Sequence, residues 1–209
     1  VEGGFSARGF VEEMRTQART HLGLAPLVSD DAVEAASAPA SVARPAKHAW
    51  TLAELEPLLA EVVHGRDFAS GRAAYEATSC VQCHRFAGDG SNQGPDLTGA
   101  AGRYSPRDLL VAILEPSREV PDVWRDVELR GDDALLAVGR IEAERDGELV
   151  VRDTAGLRVS LPVELVTERV PHRLSRMPER LLDVLEQDEV LDLLAYVLSG
   201  GDEGDARFR

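Results

Sequence analysis

The feature that most constrains this chain is the pentapeptide Cys80-Val81-Gln82-Cys83-His84, which holds both of its cysteines. Two thiols at this spacing can add to the two vinyl groups on one edge of a porphyrin, and the imidazole of the next residue is then directed at the iron. Such attachment keeps the cofactor in place and fixes one axial ligand in the same step. The motif therefore predicts one covalently attached haem c, with Cys80 and Cys83 as attachment sites and His84 as an iron ligand.

Two other kinds of site use the same residue types. A structural zinc site needs four ligands, and adjacent Cys83 and His84 would crowd a tetrahedral ion. A thioredoxin-like dithiol needs a strand before the cysteine pair and a helix that begins at it. Here the pattern predicts a helix that ends at Cys80 and a glycine-rich loop after it. The context therefore favours haem.

Apolar residues at helical spacing lie on both sides of the pentapeptide. A capping box of Thr51 and Glu54 precedes one such stripe, and five glycines indicate a loop over residues 84–105. The Ser105-Pro106 step is a typical helix start. The expected helices cover residues 6–24, 51–63, 67–79 and 106–115, and helix returns after Pro178 and ends near Leu198.

The apolar period changes from about four residues to two in the middle of the chain. Short runs rich in Val, Leu and Ile are separated by turns at Gly131-Asp132, Asp146-Gly147 and Ala155-Gly156. This alternation predicts a small antiparallel β insert over about residues 122–170. The remainder is helical, so the chain is expected to be mainly α.

The motifs around the pentapeptide resemble the class I cytochrome c fold, and more narrowly the haem-binding domains described from planctomycetes and verrucomicrobia. They occur in one order: CVQCHRF at 80–86, GPDLTG at 94–99, GRYSP at 102–106, Leu109–Ser117, SRMPE at 175–179 and a terminal helix at 190–198. The resemblance covers roughly residues 68–200. It implies a class I fold with a β insert between the haem-attachment segment and the Met-ligand segment.

The second axial ligand is expected to be Met177. It precedes Pro178 in a loop where class I cytochromes place their ligand methionine, whereas Met14 is expected on the apolar face of the first helix. A gap-filling role in the core is the alternative for Met177. His172 is the rival ligand because it is close in sequence, although a solvated histidine at a strand end is the simpler interpretation.

The resemblance also implies roles for residues around the haem. A ligating histidine usually donates its second ring N–H to a carbonyl, and by family position that carbonyl belongs to Pro95. Leu97 is expected to pack on the haem. Arg103 or Tyr104 is expected to bind a propionate, with a plain surface arginine as the alternative. Among the helices, Gly71 is expected to allow a close crossing with the last helix.

The charge composition limits which classes of partner are expected. There are 23 Lys and Arg against 37 Asp and Glu, a formal net charge of −14. Phosphate contacts need a basic surface, so nucleic acid is disfavoured, whereas a basic or neutral redox partner protein is suited. No apolar run is long enough for a transmembrane helix. Since thioethers are made outside the cytoplasm, the resemblance implies a periplasmic or otherwise extracytoplasmic location in a bacterium.

We expect three segments: an N-terminal helix at 1–26 that ends a preceding region, a linker at 27–49, and a cytochrome c domain at 50–209. The expected function is electron transfer within a larger redox protein, with a fused dehydrogenase domain as a possible partner. No catalytic motif occurs, so the chain is expected not to be an enzyme. The alternatives are a haem enzyme or gas-binding sensor with an open sixth site, and a docking module built on the insert.

Overall fold

The computed structural model describes residues 44–132 and 134–209. The helix expected at residues 1–26 and most of the linker expected at 27–49 lie outside these residues. The end of that linker lies against the helical region: Arg44 forms an ion pair with Glu189 at 2.6 Å, and the amide of Lys47 donates to the carbonyl of Asp183. The described chain forms a helical region and a five-stranded sheet.

The α-helices of the described residues are α1 (Leu52–Leu55), α2 (Phe68–Ala77), α3 (Pro106–Leu114) and α4 (Gln187–Leu198). The capping box of Thr51 and Glu54 is confirmed. The helix predicted over 51–63 continues after Leu55 as a 3-10 helix, Glu56–Val63, because Pro57 has no amide hydrogen to bond to the preceding turn. Shorter 3-10 helices are Cys80–Gln82, Ala100–Gly102, Asp122–Trp124, Val163–Leu165, Leu181–Val184 and Ala206–Phe208.

Helices α2 and α4 cross at Gly71, as the sequence predicts. A methyl group added at Gly71 would lie less than 3.0 Å from the carbonyl oxygen of Asp192 and 2.7 Å from Cβ of Tyr196. Only glycine allows the two backbones to come this close. Aromatic rings pack beside the crossing, where Tyr75 lies 5.2 Å from Phe86 and 5.8 Å from Tyr196 between ring centroids. The crossing helps bury every residue of α4 from Val190 to Leu198.

The predicted β insert is an antiparallel sheet. Its strands are β3 (Val127–Arg130), β4 (Leu135–Arg145), β5 (Glu148–Asp153), β6 (Arg158–Pro162) and β7 (Glu168–Pro171), in the order β6-β5-β4-β3-β7. The three predicted turns separate its first four strands and are confirmed. A second, two-stranded hairpin pairs β1 (Arg85–Phe86) with β2 (Asp89–Gly90) inside the glycine-rich loop.

The expectation of a mainly α chain needs correction, because the described residues are mixed, with four α-helices and seven strands in two sheets. The sequence pattern underestimated the strands for two reasons. The apolar alternation of β4 ends at Ile141, yet the strand continues to Arg145 through charged residues that pair across the sheet. Strand β7 shows no apolar alternation of its own, because Val170 is its only large aliphatic residue.

Candidate functional site

The pentapeptide lies where α2 ends. Ser79 adopts a left-handed backbone (φ 59°) that breaks the helix, and residues 80–82 then form one 3-10 turn. The hydroxyl of Thr78 lies 3.2 Å from Sγ of Cys80. Burial raises the pKa of the Cys80 thiol to about 11, and burial also raises the pKa of Cys83. Both cysteines therefore lie in a weakly polar environment on the same turn.

A hydrogen bond at Nδ1 orients the imidazole of His84. Its Nδ1 lies 2.7 Å from the carbonyl oxygen of Pro95, and a carbonyl only accepts, so Nδ1 carries the hydrogen and Nε2 keeps its lone pair. Gly94 makes room for the ring, because an added Cβ would lie 2.8 Å from its Cε1. Burial lowers the pKa of His84. The ring is therefore neutral, oriented and able to bind a metal through Nε2.

A cleft opens beside His84, with about 710 Å³ of empty space that is partly continuous with solvent. Its walls are mostly apolar, which suits a large flat ring system. The lining residues are Thr78, Cys80, His84, Pro95, Leu97, Arg103, Tyr104, Leu109, Ala112, Ile113, Met177, Leu181, Leu182, Leu193 and Val197.

Most of the predicted site residues meet at this cleft. Pro95, Leu97, Arg103, Tyr104 and Met177 all line it, although they come from segments far apart in the sequence. One guanidinium nitrogen of Arg103 donates to the carbonyl of Asp96, which fixes the side chain near the opening.

His172 lies in a different environment from Met177. Its Nε2 is 3.0 Å from a carboxylate oxygen of Glu128 on β3, and it does not belong to the lining of the cleft. The Met177 amide, by contrast, donates to the hydroxyl of Ser175 at 3.1 Å. The loop therefore directs its methionine, not the neighbouring histidine, to the cleft wall.

Sequence reasoning missed several residues of the site. The α3 stripe was recognised as apolar, but nothing in its period shows that Leu109 and Ile113 face a cleft. Gly94 was treated as loop, although its place before Pro95 in the motif was a usable signal. Thr78 and Arg140 belong to none of the motifs, and Arg176 lies within SRMPE but is assigned no role there.

A zinc centre at the pentapeptide lacks partners. Within residues 44–132 and 134–209, no three His, Cys, Asp or Glu side chains gather in a way that could hold a metal ion, whereas structural zinc needs four ligands. The cleft offers the Cys80 thiol, the His84 imidazole and the Met177 thioether, and Cys83 lies on the same turn as Cys80 but outside the lining of the cleft. This set fits a haem.

The cytochrome c family model matches residues 68–129. Residues 68–129 thus carry the sequence pattern of a cytochrome c domain. Its cofactor is a covalently attached c-type haem with iron. The match spans α2, the pentapeptide, the glycine-rich loop and α3, and it ends within β3, before the Met177 loop. No curated protein sequence matches the chain.

Cytochrome c domains generally serve haem-based electron transfer, usually with redox partner proteins, and in bacteria they are typically extracytoplasmic. No helix in the described part of the chain is long and apolar enough to cross a bilayer.

Proposed function

We propose that this domain transfers single electrons through one haem, attached at Cys80 and Cys83 and ligated by His84 and Met177. One observation carries the proposal: the imidazole of His84 and the side chain of Met177 line the same apolar cleft beside Cys80. When bound, the haem supplies a reversible one-electron iron couple, whose potential a methionine ligand raises.

The residues of the cleft support this function in three ways. The bond from His84 to Pro95 sets the ring plane and increases the basicity of Nε2. The apolar side chains of α3 and α4 exclude water, which controls the local dielectric and hence the potential. We assign Arg103 and Tyr104 to the propionates and Leu97 to packing on the ring, since all three lie on the lining.

We infer that the domain spans residues 50–209 and is of the planctomycete and verrucomicrobial type, because the Leu109–Ser117 and SRMPE motifs fall on α3 and on the Met177 loop. It then serves a larger periplasmic or otherwise extracytoplasmic redox protein, with a dehydrogenase as electron donor. In this proposal the domain is a carrier with no substrate reaction of its own.

Optical spectra and intact mass test the proposal. The purified protein should carry the mass of one haem, and its ferric form should show the weak near-red charge-transfer band of a Met–iron bond. Met177→Ala should lose that band and bind CO when reduced, whereas His172→Ala, which alters a histidine outside the cleft, should keep the band. A high-spin wild-type protein that binds CO would instead support a haem enzyme or gas sensor.

A further inference from the structure

The β insert contacts both loops that flank the cleft, and one place on the sheet takes part in both contacts. This place is two neighbouring residue pairs of the β4–β5 ladder, Gly139–Asp153 and Arg140–Arg152, called the anchor pairs below. The strands are tightly apposed there, because a methyl group added at Gly139 would lie less than 3.0 Å from the carbonyl oxygen of Arg152. The anchor pairs therefore offer a stiff support.

The first contact runs to the loop that orients His84. The guanidinium of Arg140 donates to the carbonyl of Gln93 at 2.9 Å and to that of Asn92 at 3.4 Å. These two residues directly precede Gly94 and Pro95. The Arg140 side chain is only 10% exposed and lies over the ring of Trp124 at 4.4 Å. It therefore has little freedom to leave the loop.

The second contact comes from the residue before Met177. The guanidinium of Arg176 donates to the carbonyl of Asp153 at 2.9 Å and to that of Arg152 at 2.8 Å. Its Nε also lies 2.7 and 2.8 Å from the two carboxylate oxygens of Asp126, whose side chain is 7% exposed. All three nitrogen atoms of the Arg176 guanidinium therefore form hydrogen bonds that hold the Met177 loop on the sheet.

We propose that the anchor pairs set the position of the Met177 side chain relative to His84, with Arg140 and Arg176 as positioning residues. This inference rests on the proposed His84 and Met177 ligation. The two ligands are 93 positions apart in sequence, and closing so long a loop has an entropic cost. A guanidinium holds several acceptors in one fixed geometry, so Arg140, which lies on the ladder, and Arg176, which binds to it, restrain both loops at the same place.

The test compares Arg140→Gln and Arg176→Gln with Arg169→Gln. Arg169 pairs with Glu144 on the exposed part of the same sheet and touches neither loop, so it is a matched control. Binding of free imidazole to the ferric protein measures how easily Met177 leaves the iron. Losing a buried charged hydrogen bond should strengthen imidazole binding about tenfold in each anchor variant, at unchanged haem content, and leave the control at the wild-type value.

A second measurement distinguishes a positioning role from a general loss of stability. Hydrogen exchange at the amides of Gly94 and Met177 should accelerate in the anchor variants, while exchange in α2 and α4 stays unchanged. The double variant should bind imidazole less tightly than the product of the two single effects predicts, because either loss already releases the restraint. If Arg176→Gln fails to fold, Asp126→Asn serves instead, because it weakens the hydrogen bonds of the Arg176 guanidinium more mildly. It should also strengthen imidazole binding.

The outcomes are distinguishable from failure of the proposed ligation. If both anchor variants bind imidazole within about twofold of the control, the positioning role is wrong even when Met177→Ala shows that Met177 is the ligand. If wild-type protein lacks the Met–iron band, the ligation itself is wrong, and hydrogen exchange at Gly94 and Met177 then shows whether the arginines restrain the loops at all.

Discussion

The helical region and the β insert differ in what holds them together. Eighteen buried apolar residues form the helical core, whereas four do so in the sheet: Leu129, Leu149, Val151 and Leu161. The sheet compensates with charge. Its Glu142 accepts hydrogen bonds from Arg140, Arg152 and Arg158.

This difference indicates a division of roles. Close packing in the helical region fixes the walls of the cleft, since burial of apolar surface is the largest stabilising contribution available to a fold. The insert has a small apolar core, and hydrogen bonds of Arg140 and Arg176 join it to the cleft loops. Substitutions in the helical region should therefore act on global stability, and those in the insert on local order.

The largest effect is expected at the crossing of α2 and α4. Gly71→Val places two methyl groups against the backbone at Asp192 and against Tyr196, and overpacking of this kind should lower the free energy of unfolding by about 3 kcal/mol. Gly102→Val is the matched control, because nothing lies within 4 Å of an added Cβ there. Thermal unfolding of both variants measures the difference, and equal stabilities would contradict the packing role of Gly71.

Much of the local structure in both regions could be predicted because its signals lie within short segments. The capping box of Thr51, the spacing around Gly71 and the three hairpin turns are each encoded within a few residues. The glycine-rich loop and the end of α2 at the pentapeptide follow from the same kind of pattern. The proportion of helix to strand could not be predicted, because charged residues of β4 and β7 pair across strands and leave no apolar period to detect.

The candidate site was predictable to a different degree. Motif order brought out Pro95, Leu97 and Met177 as neighbours of the pentapeptide, and these lie on the cleft with His84. Arg140 and Arg176 were missed for a physical reason. Four of their acceptors are backbone carbonyls, which every residue carries, and the Asp126 carboxylate that binds Arg176 lies 50 positions away in the sequence, so no local pattern marks these partners.

A smaller effect is expected in the core of the sheet. Leu149 is completely buried, and Leu149→Ala should destabilise the insert by about 2 kcal/mol, near the lower end for such truncations because a small core collapses easily. Leu194→Ala in the helical core is the comparison. Hydrogen exchange should show loosening confined to residues 127–171 in the first variant and spread through the helices in the second. Identical exchange patterns would mean that the two regions unfold as one unit.

The smallest effect is expected from the charges of the insert, and it depends on pH. Burial opposes ionisation of Glu142, but hydrogen bonds from Arg152 and Arg158 outweigh it and lower the pKa of Glu142 from 4.5 to about 2. A carboxylate with a lowered pKa stabilises the folded state fully above pH 4.5, and this contribution disappears as pH falls towards 2.

Glu142→Gln should therefore be less stable than wild type by about 1 kcal/mol at pH 7, because its side chain is partly exposed and solvent weakens the pairing. In denaturant titrations, this difference in the free energy of unfolding should narrow between pH 4.5 and pH 2. Glu168 is the control, because its carboxylate lies 3.8 Å from Arg130 on the exposed edge of the sheet. Glu168→Gln should differ little from wild type at either pH. If the stability difference between Glu142→Gln and wild type stays constant with pH, Glu142 acts through its shape and not through its charge. The two regions would then differ only in the size of their apolar cores.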